Sequence, residues 1–272
     1  MFVFIILKAS TFCDSNPCQN NGVCEPASST FRCKCANGYA GRFCERRCEI
    51  VKDIAFVLDS SSSVGEINFE RMLDFTSKLV DDLADRNMRY ALITYSNAAT
   101  LVFTFSRYSD AETVASIIKR TAYKPGSTNT ASALANAADI FSIDYGSRPS
   151  AEKVVILITD GLSNVDYHLT IPNAQRLKAR VNKVMAIGVG LDNTEEIRQI
   201  ASDDKFMYTV QDFTLLEDVE NDIVGDTCLM QERKDLRDDV EMEIETDSED
   251  DFGDDIESEN NYERVTRPLS VA

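Results

Sequence analysis

Between residues 51 and 228, short apolar runs alternate with segments whose apolar residues recur every three or four positions. The runs at 54–58 and 154–158 are apolar throughout, which is typical of parallel strands buried on both faces. The periodic segments predict amphipathic helices. We expect strands at 53–58, 90–95, 101–105, 154–159, 183–188 and 206–210, and helices at 69–83, 111–119, 132–141, 174–178, 195–201 and 215–223. This alternation indicates a doubly wound α/β domain with a mostly parallel sheet.

The two ends of the chain lack this pattern. Residues 1–10 contain an apolar stretch too short to span a bilayer, which we interpret as a truncated or minimal signal peptide; the alternative is an N-terminal extension or a gene-model fragment. Residues 229–272 carry sixteen Asp or Glu against five Lys or Arg, and contribute most of the net charge of −18. This acidic tail has too little apolar surface to form a core, so we predict that it is disordered.

The cysteines define a second, smaller module. Seven of the eight lie between Cys13 and Cys48, a density typical of disulfide-rich extracellular modules. The six from Cys13 to Cys44 allow fifteen pairings, and spacing alone does not choose among them. A zinc site is disfavoured, because paired Cys-x2-Cys knuckles and histidines are missing. We therefore expect a secreted protein with a disulfide-stapled module at 11–47, a large domain at 48–228 and a tail at 229–272.

The cysteine spacing, together with residues 38–44, resembles an epidermal growth factor-like (EGF-like) domain. The resemblance implies three disulfides: Cys13–Cys24, Cys18–Cys33 and Cys35–Cys44. The segment from Cys13 to Cys18 also matches the family consensus for O-glucosylation, which would modify Ser15. Residues 9–12 lack the acidic residues of the calcium-binding variant, so we expect no calcium in this module.

Three polar clusters follow strands or precede helices of the large domain. Asp59, Ser61 and Ser63 follow the first strand, Thr128 lies in a polar loop at 126–130, and Asp160 follows the run at 154–158. Ligands of open α/β sheets bind beyond the carboxyl ends of the strands, and carboxylate and hydroxyl oxygens suit hard divalent cations. Alternatively, the two aspartates only cap helices or turns, although like charges at one sheet edge need compensation.

These clusters, in this order, resemble the metal-ion-dependent adhesion site (MIDAS) of von Willebrand factor type A domains, whose fold is Rossmann-like. The resemblance covers about 180 residues and implies that Mg²⁺ or Mn²⁺ is held by Asp59, Ser61, Ser63, Thr128 and Asp160. The usual glycine at the end of the second loop is replaced by Ala131. Segments at 145–149 and 186–190 resemble the A domains of matrilins and fibril-associated collagens. The implied role is adhesion in the extracellular matrix, with collagens or cell-surface receptors as partners.

Two further cysteines flank the large domain. Cys48 and Cys228 stand at its two ends, which the type A fold brings close together, so the resemblance implies a Cys48–Cys228 disulfide. Two unpaired or intermolecularly paired thiols are the alternative.

Other classes of function find little support in the sequence. The chain has one histidine, His168, in the predicted loop after Asp160. Because histidine is the most common catalytic base, we expect that the protein is not an enzyme. The acidic charge argues against nucleic acid as a partner, and no segment reaches the roughly eighteen apolar residues of a membrane span. The alternative function is that of a biomineral matrix protein whose acidic tail binds Ca²⁺ weakly or adsorbs to a mineral surface.

Overall fold

The large domain is built around a six-stranded sheet. The computed structural model describes residues 13–26, 31–36, 39–47, 51–83 and 87–228. The strands of the sheet are β5 (Lys52–Asp59), β6 (Met88–Tyr95), β7 (Ala99–Phe103), β8 (Glu152–Thr159), β9 (Lys183–Val189) and β10 (Met207–Val210). They lie side by side in the order β10-β9-β8-β5-β6-β7, and all neighbours are parallel except β6 and β7, which are antiparallel. The prediction of a doubly wound, mostly parallel sheet is confirmed.

Helices cover both faces of the sheet, which explains the continuous apolar runs. The helices are α1 (Glu66–Asp82), α2 (Ala111–Lys119), α3 (Thr130–Ile140), α4 (Thr170–Lys178), α5 (Glu195–Ile200) and α6 (Glu220–Cys228). Successive β5 residues alternate between two hydrophobic clusters: Ile54 and Phe56 belong to the cluster that includes α1, α2 and α6, whereas Ala55 and Val57 belong to the one that includes α3, α4 and α5. All four are fully buried.

Three of the predicted helices differ from the structure by three residues or more, or in type. Helix α1 begins at Glu66 instead of residue 69, and α4 begins at Thr170 instead of residue 174. Their first turns are largely polar, so apolar periodicity does not reveal them. The predicted helix at 215–223 was wrong in type over much of its length: Phe213–Val219 is a 3-10 helix, and the α-helix begins only at Glu220.

The small module consists of two short antiparallel pairs: β1 (Val23–Pro26) with β2 (Phe31–Lys34), and β3 (Tyr39–Ala40) with β4 (Arg46–Arg47). Disulfides join Cys13 to Cys24, Cys18 to Cys33 and Cys35 to Cys44, the three pairs that the resemblance implies. The candidate glucosylation site, Ser15, is exposed in a turn. Because the module has few buried apolar side chains, the disulfides supply much of its stability.

Several predictions fall outside the described residues. These are the signal peptide at 1–10, the acidic tail at 229–272 and Cys48. Its predicted partner, Cys228, is buried at the end of α6 and is disulfide-bonded. Among the described helices, none combines the length and the apolar composition that crossing a bilayer requires.

Candidate metal site

The candidate ligands lie at the carboxyl edge of the sheet. Strands β5 and β8 are parallel neighbours, and their register pairs Leu58 with Ile158. The residues that follow each strand, including Asp59 and Asp160, therefore reach the same edge. Helix α1 starts just beyond Ser63, and the loop that carries Thr128 leads into α3. The fold thus places the three polar clusters on adjacent loops.

A chain of hydrogen bonds connects four of the five candidate ligands. The Ser61 N–H donates to Asp59 Oδ1 at 2.8 Å, and the Thr159 hydroxyl donates to Asp59 Oδ2 at 2.6 Å. The hydroxyls of Ser61 and Ser63 are 3.0 Å apart, and Ser63 Oγ donates to Asp160 Oδ1 at 2.8 Å. The two carboxylates are therefore linked through the backbone N–H and the hydroxyl of Ser61 and the hydroxyl of Ser63.

Thr128 borders the same small space. A methyl group built on Gly161 would lie 3.8 Å from Ser63 Oγ and 4.0 Å from Thr128 Oγ1, so both hydroxyls approach one point. Thr128 is itself 4% exposed. The glycine after Asp160 keeps this point free of a side chain. The structure therefore brings all five predicted ligands to one place.

Burial raises the pKa of both candidate carboxylates. Asp59 is fully buried, and desolvation raises its pKa to about 6 against the hydrogen bonds from Thr159 and Ser61, with a small further rise from Asp160. Burial also raises the pKa of Asp160, while the hydrogen bond from Ser63 lowers it. A bound cation would favour both ionised forms.

The donor set fits a hard divalent cation. The five candidate side chains offer only oxygen atoms, two from carboxylates and three from hydroxyls, which suit Mg²⁺ or Mn²⁺. Within the described ranges, no three His, Cys, Asp or Glu side chains cluster as a metal site. Any ion at the sheet edge would thus depend on the hydroxyls of Ser61, Ser63 and Thr128, with Asp59 and Asp160 bound directly or through water.

Asn164 fixes the backbone of Thr128 and was missed by the sequence analysis. Its side-chain oxygen accepts a hydrogen bond from the Thr128 N–H at 2.9 Å, and its own N–H donates to the Thr128 carbonyl at 2.9 Å. The preceding Ser163 N–H donates to Glu196 Oε1 at 2.8 Å, which attaches this loop to α5. The loop that carries Asp160 therefore also positions Thr128.

Two more residues hold the second loop against its neighbours. Tyr123 donates its hydroxyl to the Ser61 carbonyl at 3.0 Å, and Asn97 Oδ1 accepts from the Ser127 N–H at 2.8 Å. Asn97 follows β6 at the same sheet edge, so its strand-end position was an available signal in the sequence. Tyr123 and Asn164 carry no such signal. Ala131, the departure from the family glycine, lies buried in the first turn of α3 with helical backbone.

Sequence comparisons match both modules to families. The model of the von Willebrand factor type A domain matches residues 53–222, and that of the EGF-like domain matches residues 13–43. Mouse matrilin-1 is 29% identical over 224 residues, covering 77% of this chain and 44% of matrilin-1. Mouse integrin alpha-X is 30% identical over 213 residues, covering 74% of this chain and 18% of the integrin. The chain thus spans less than half the length of these relatives.

Structure comparison finds proximal thread matrix protein 1 from the mussel byssus. One crystal form has a TM-score of 0.64 and 26% identity, covering 67% of this chain and 49% of that protein. Another of its structures, with a zinc-occupied MIDAS motif, has a TM-score of 0.63 and 27% identity over the same shares. The family-model match, the doubly wound sheet and this likeness agree. The chain belongs to the von Willebrand factor type A domain family, with an EGF-like domain preceding its type A domain.

Proposed function

We propose that the type A domain binds protein ligands through Mg²⁺ or Mn²⁺ held by Asp59, Ser61, Ser63, Thr128 and Asp160. The observation that supports this most is the composition of the site, two carboxylates and three hydroxyls on adjacent loops at one edge of the sheet. With only two anionic ligands, bound directly or through water, a divalent ion retains Lewis acidity and can accept a further carboxylate oxygen. A carboxylate from the ligand would complete the coordination. The site is then suited to adhesion.

Capture of a ligand, not catalysis, is the role we assign to this site. His168 is exposed in the 3-10 turn Tyr167–Leu169, where its ring contacts the ring of Tyr167. It lies eight residues beyond Asp160 in sequence. Nothing in the donor set requires acid or base chemistry.

We place this function in the extracellular matrix. The three disulfides of the EGF-like domain favour an oxidising compartment. The similar structures belong to a byssal matrix protein, and the similar sequences to matrilin and an integrin. Collagens and cell-surface receptors are therefore the partners that we propose, by analogy with those families.

Calorimetry with Mg²⁺ and Mn²⁺ tests the metal site. Ser63→Ala and Thr128→Ala each remove one proposed oxygen ligand without changing charge, and we expect each to weaken divalent binding at least about tenfold. Ser142→Ala is the matched control, because the Ser142 hydroxyl caps no helix. Unchanged affinity in both ligand variants would remove these residues from the site.

Adhesion itself is tested on immobilised collagen. Binding of the full chain is expected in Mg²⁺ and lost in EDTA, and Ser63→Ala should reduce it even in Mg²⁺. Collagen binding that persists in EDTA would contradict a metal-dependent mechanism. Divalent binding without collagen binding would support the ion site and exclude collagen as the partner.

The acidic tail supports a second candidate function, attachment to mineral. Residues 235–259 contain fourteen Asp or Glu and one Arg, a polyanion that attracts Ca²⁺. We expect the full chain to adsorb to calcium carbonate, and a chain ending at residue 228 to adsorb much less. Equal adsorption of the two would exclude the tail as the mineral-binding element.

A further inference from the structure

The EGF-like module contacts the type A domain through a basic side chain that pairs with two carboxylates. Arg32, on β2, places its guanidinium 2.8 Å from Asp82 Oδ2 and also hydrogen-bonds Glu220. Asp82 is the last residue of α1 and Glu220 the first of α6. One arginine of the small module therefore joins the ends of two helices of the large domain.

Without the EGF-like module, the positions of these carboxylates would be electrostatically unfavourable for the type A domain. Helix α1 ends in Asp81 and Asp82 with no basic residue in its last turn, so both acids face the negative end of the helix dipole. The Glu220 side chain is 1% exposed. Burial and the neighbouring Asp82 raise its pKa, although Arg32 and Lys78 lower it. We call Asp81, Asp82 and Glu220 the acidic corner.

Cations from both modules offset this charge. Lys78 of α1 lies 3.2 Å from Glu220 Oε2, but it also pairs with Glu217 at 2.9 Å. Arg32 supplies the cation that reaches Glu220 and Asp82 together. Burial and the adjacent Asp82 raise the pKa of Asp81, whereas Lys119 of α2 and Lys34 of β2 lower it. The β2 face that carries Arg32 and Lys34 is thus complementary in charge to the acidic corner.

We propose that the EGF-like module is an intramolecular ligand of the type A domain, docked by Arg32 on the acidic corner so that it holds the ends of α1 and α6 in place. The planar guanidinium suits this task, because it can bridge two carboxylates at once, which a lysine does less well. Residues of β3 and β4 also contact α6. The two modules then behave as one cooperative unit.

The docked module leaves the metal edge free. Helix α1 has seventeen residues, and at 1.5 Å per residue it spans about 25 Å. The metal-site loop ends at its start and the acidic corner lies at its far end. A protein ligand can therefore reach the candidate ion while the EGF-like module remains docked, and the docking is independent of the proposed adhesive function.

Hydrogen exchange measured by mass spectrometry on the full chain tests this docking. Arg32→Gln should speed exchange in α6 and the last turn of α1 by about tenfold or more, because it leaves buried carboxylates without their cation. Arg42→Gln is the matched control: it removes an exposed arginine of the same module, stacked on Phe43, and should change nothing there. Unchanged exchange with Arg32→Gln, or equal effects of both variants, overturns the proposal.

Two more variants keep the test decisive if Arg32→Gln folds poorly. Arg32→Lys keeps the charge and should give an intermediate rate. Glu220→Gln removes the buried acid. In that background, Arg32→Gln should raise the unfolding equilibrium constant by a factor at least about five times smaller than the factor it produces in the wild type. Additive effects of the two substitutions would show that Arg32 does not act through Glu220, and would overturn the docking mechanism.

Discussion

Replacing Asp59 by Asn should stabilise the metal-free protein while abolishing its response to Mg²⁺. The pKa of Asp59 rises from 3.8 to about 6 on folding. The folded state therefore binds more protons than the unfolded state between these values, and stability falls as pH rises through that window. Above pH 6 the ionised, buried carboxylate costs about 3 kcal/mol. Asn carries no charge and avoids this cost.

The side-chain amide of the Asp59→Asn variant can keep the hydrogen bonds around residue 59. Its oxygen can still accept from the Ser61 N–H, and its NH₂ group can donate to Thr159, whose hydroxyl is also 3.0 Å from the Gly161 carbonyl and can donate there instead. The expected gain in unfolding free energy without metal is therefore about 2 to 3 kcal/mol. For a domain of this size, that is a rise of roughly 5 to 10 °C in Tm.

Urea unfolding near pH 7.5, with EDTA or saturating Mg²⁺, measures both effects. The wild type should gain about 2.7 kcal/mol when Mg²⁺ reaches a hundred times its Kd, and Asp59→Asn should gain almost nothing. Asp192→Asn is the matched control, since Asp192 is exposed, and it should follow the wild type in both buffers. An Asp59→Asn protein that is less stable than the wild type in EDTA would refute the desolvation argument. An undiminished Mg²⁺ response would refute the metal site.

Three more outcomes follow from the same contacts. Because the ionised Asp59 binds the cation and its pKa is about 6, Mg²⁺ affinity measured by calorimetry should fall about tenfold per pH unit below pH 6, with proton release on binding; a flat profile would contradict this. Asn164→Ala should weaken Mg²⁺ binding about 10- to 100-fold by freeing Thr128, and an unchanged Kd would exclude the positioning role. Tyr123→Phe should cost about 1 kcal/mol in urea unfolding, because it removes the hydroxyl bonded to the Ser61 carbonyl; equal stability would show that this bond contributes nothing.

The sheet was predictable from sequence because its central strands are buried on both faces. The apolar runs at 54–58 and 154–158 lie inside β5 and β8, and the register of these strands brings Asp59 and Asp160 together. The 3-10 helix Phe213–Val219 was not predictable, since its apolar spacing is equally compatible with an α-helix. Periodicity reports which side of a segment is buried and does not fix the backbone hydrogen-bond pattern.

The ligands and their supports differ in how directly the sequence encodes them. Asp59 and Asp160 follow strands, so the general position of binding sites in α/β sheets identifies them. Asn164 acts on Thr128 across 36 residues, through a loop whose path only the folded chain determines. Its contribution is geometric: it holds a backbone in place and offers no oxygen to the ion. Strand-end reasoning therefore finds residues that present chemistry and misses those that position them.

The same distinction applies to the acidic corner. In sequence, Asp81, Asp82 and Glu220 look like ordinary surface acids, and Arg32 looks like an ordinary strand residue of a small module. Folding buries Glu220 and places the two aspartates at the unfavourable end of α1. Arg32, 188 residues away in sequence, then contacts Glu220. A charge arrangement that is unfavourable within one domain is best explained by the neighbour that neutralises it, so the two modules are best understood as one structural unit.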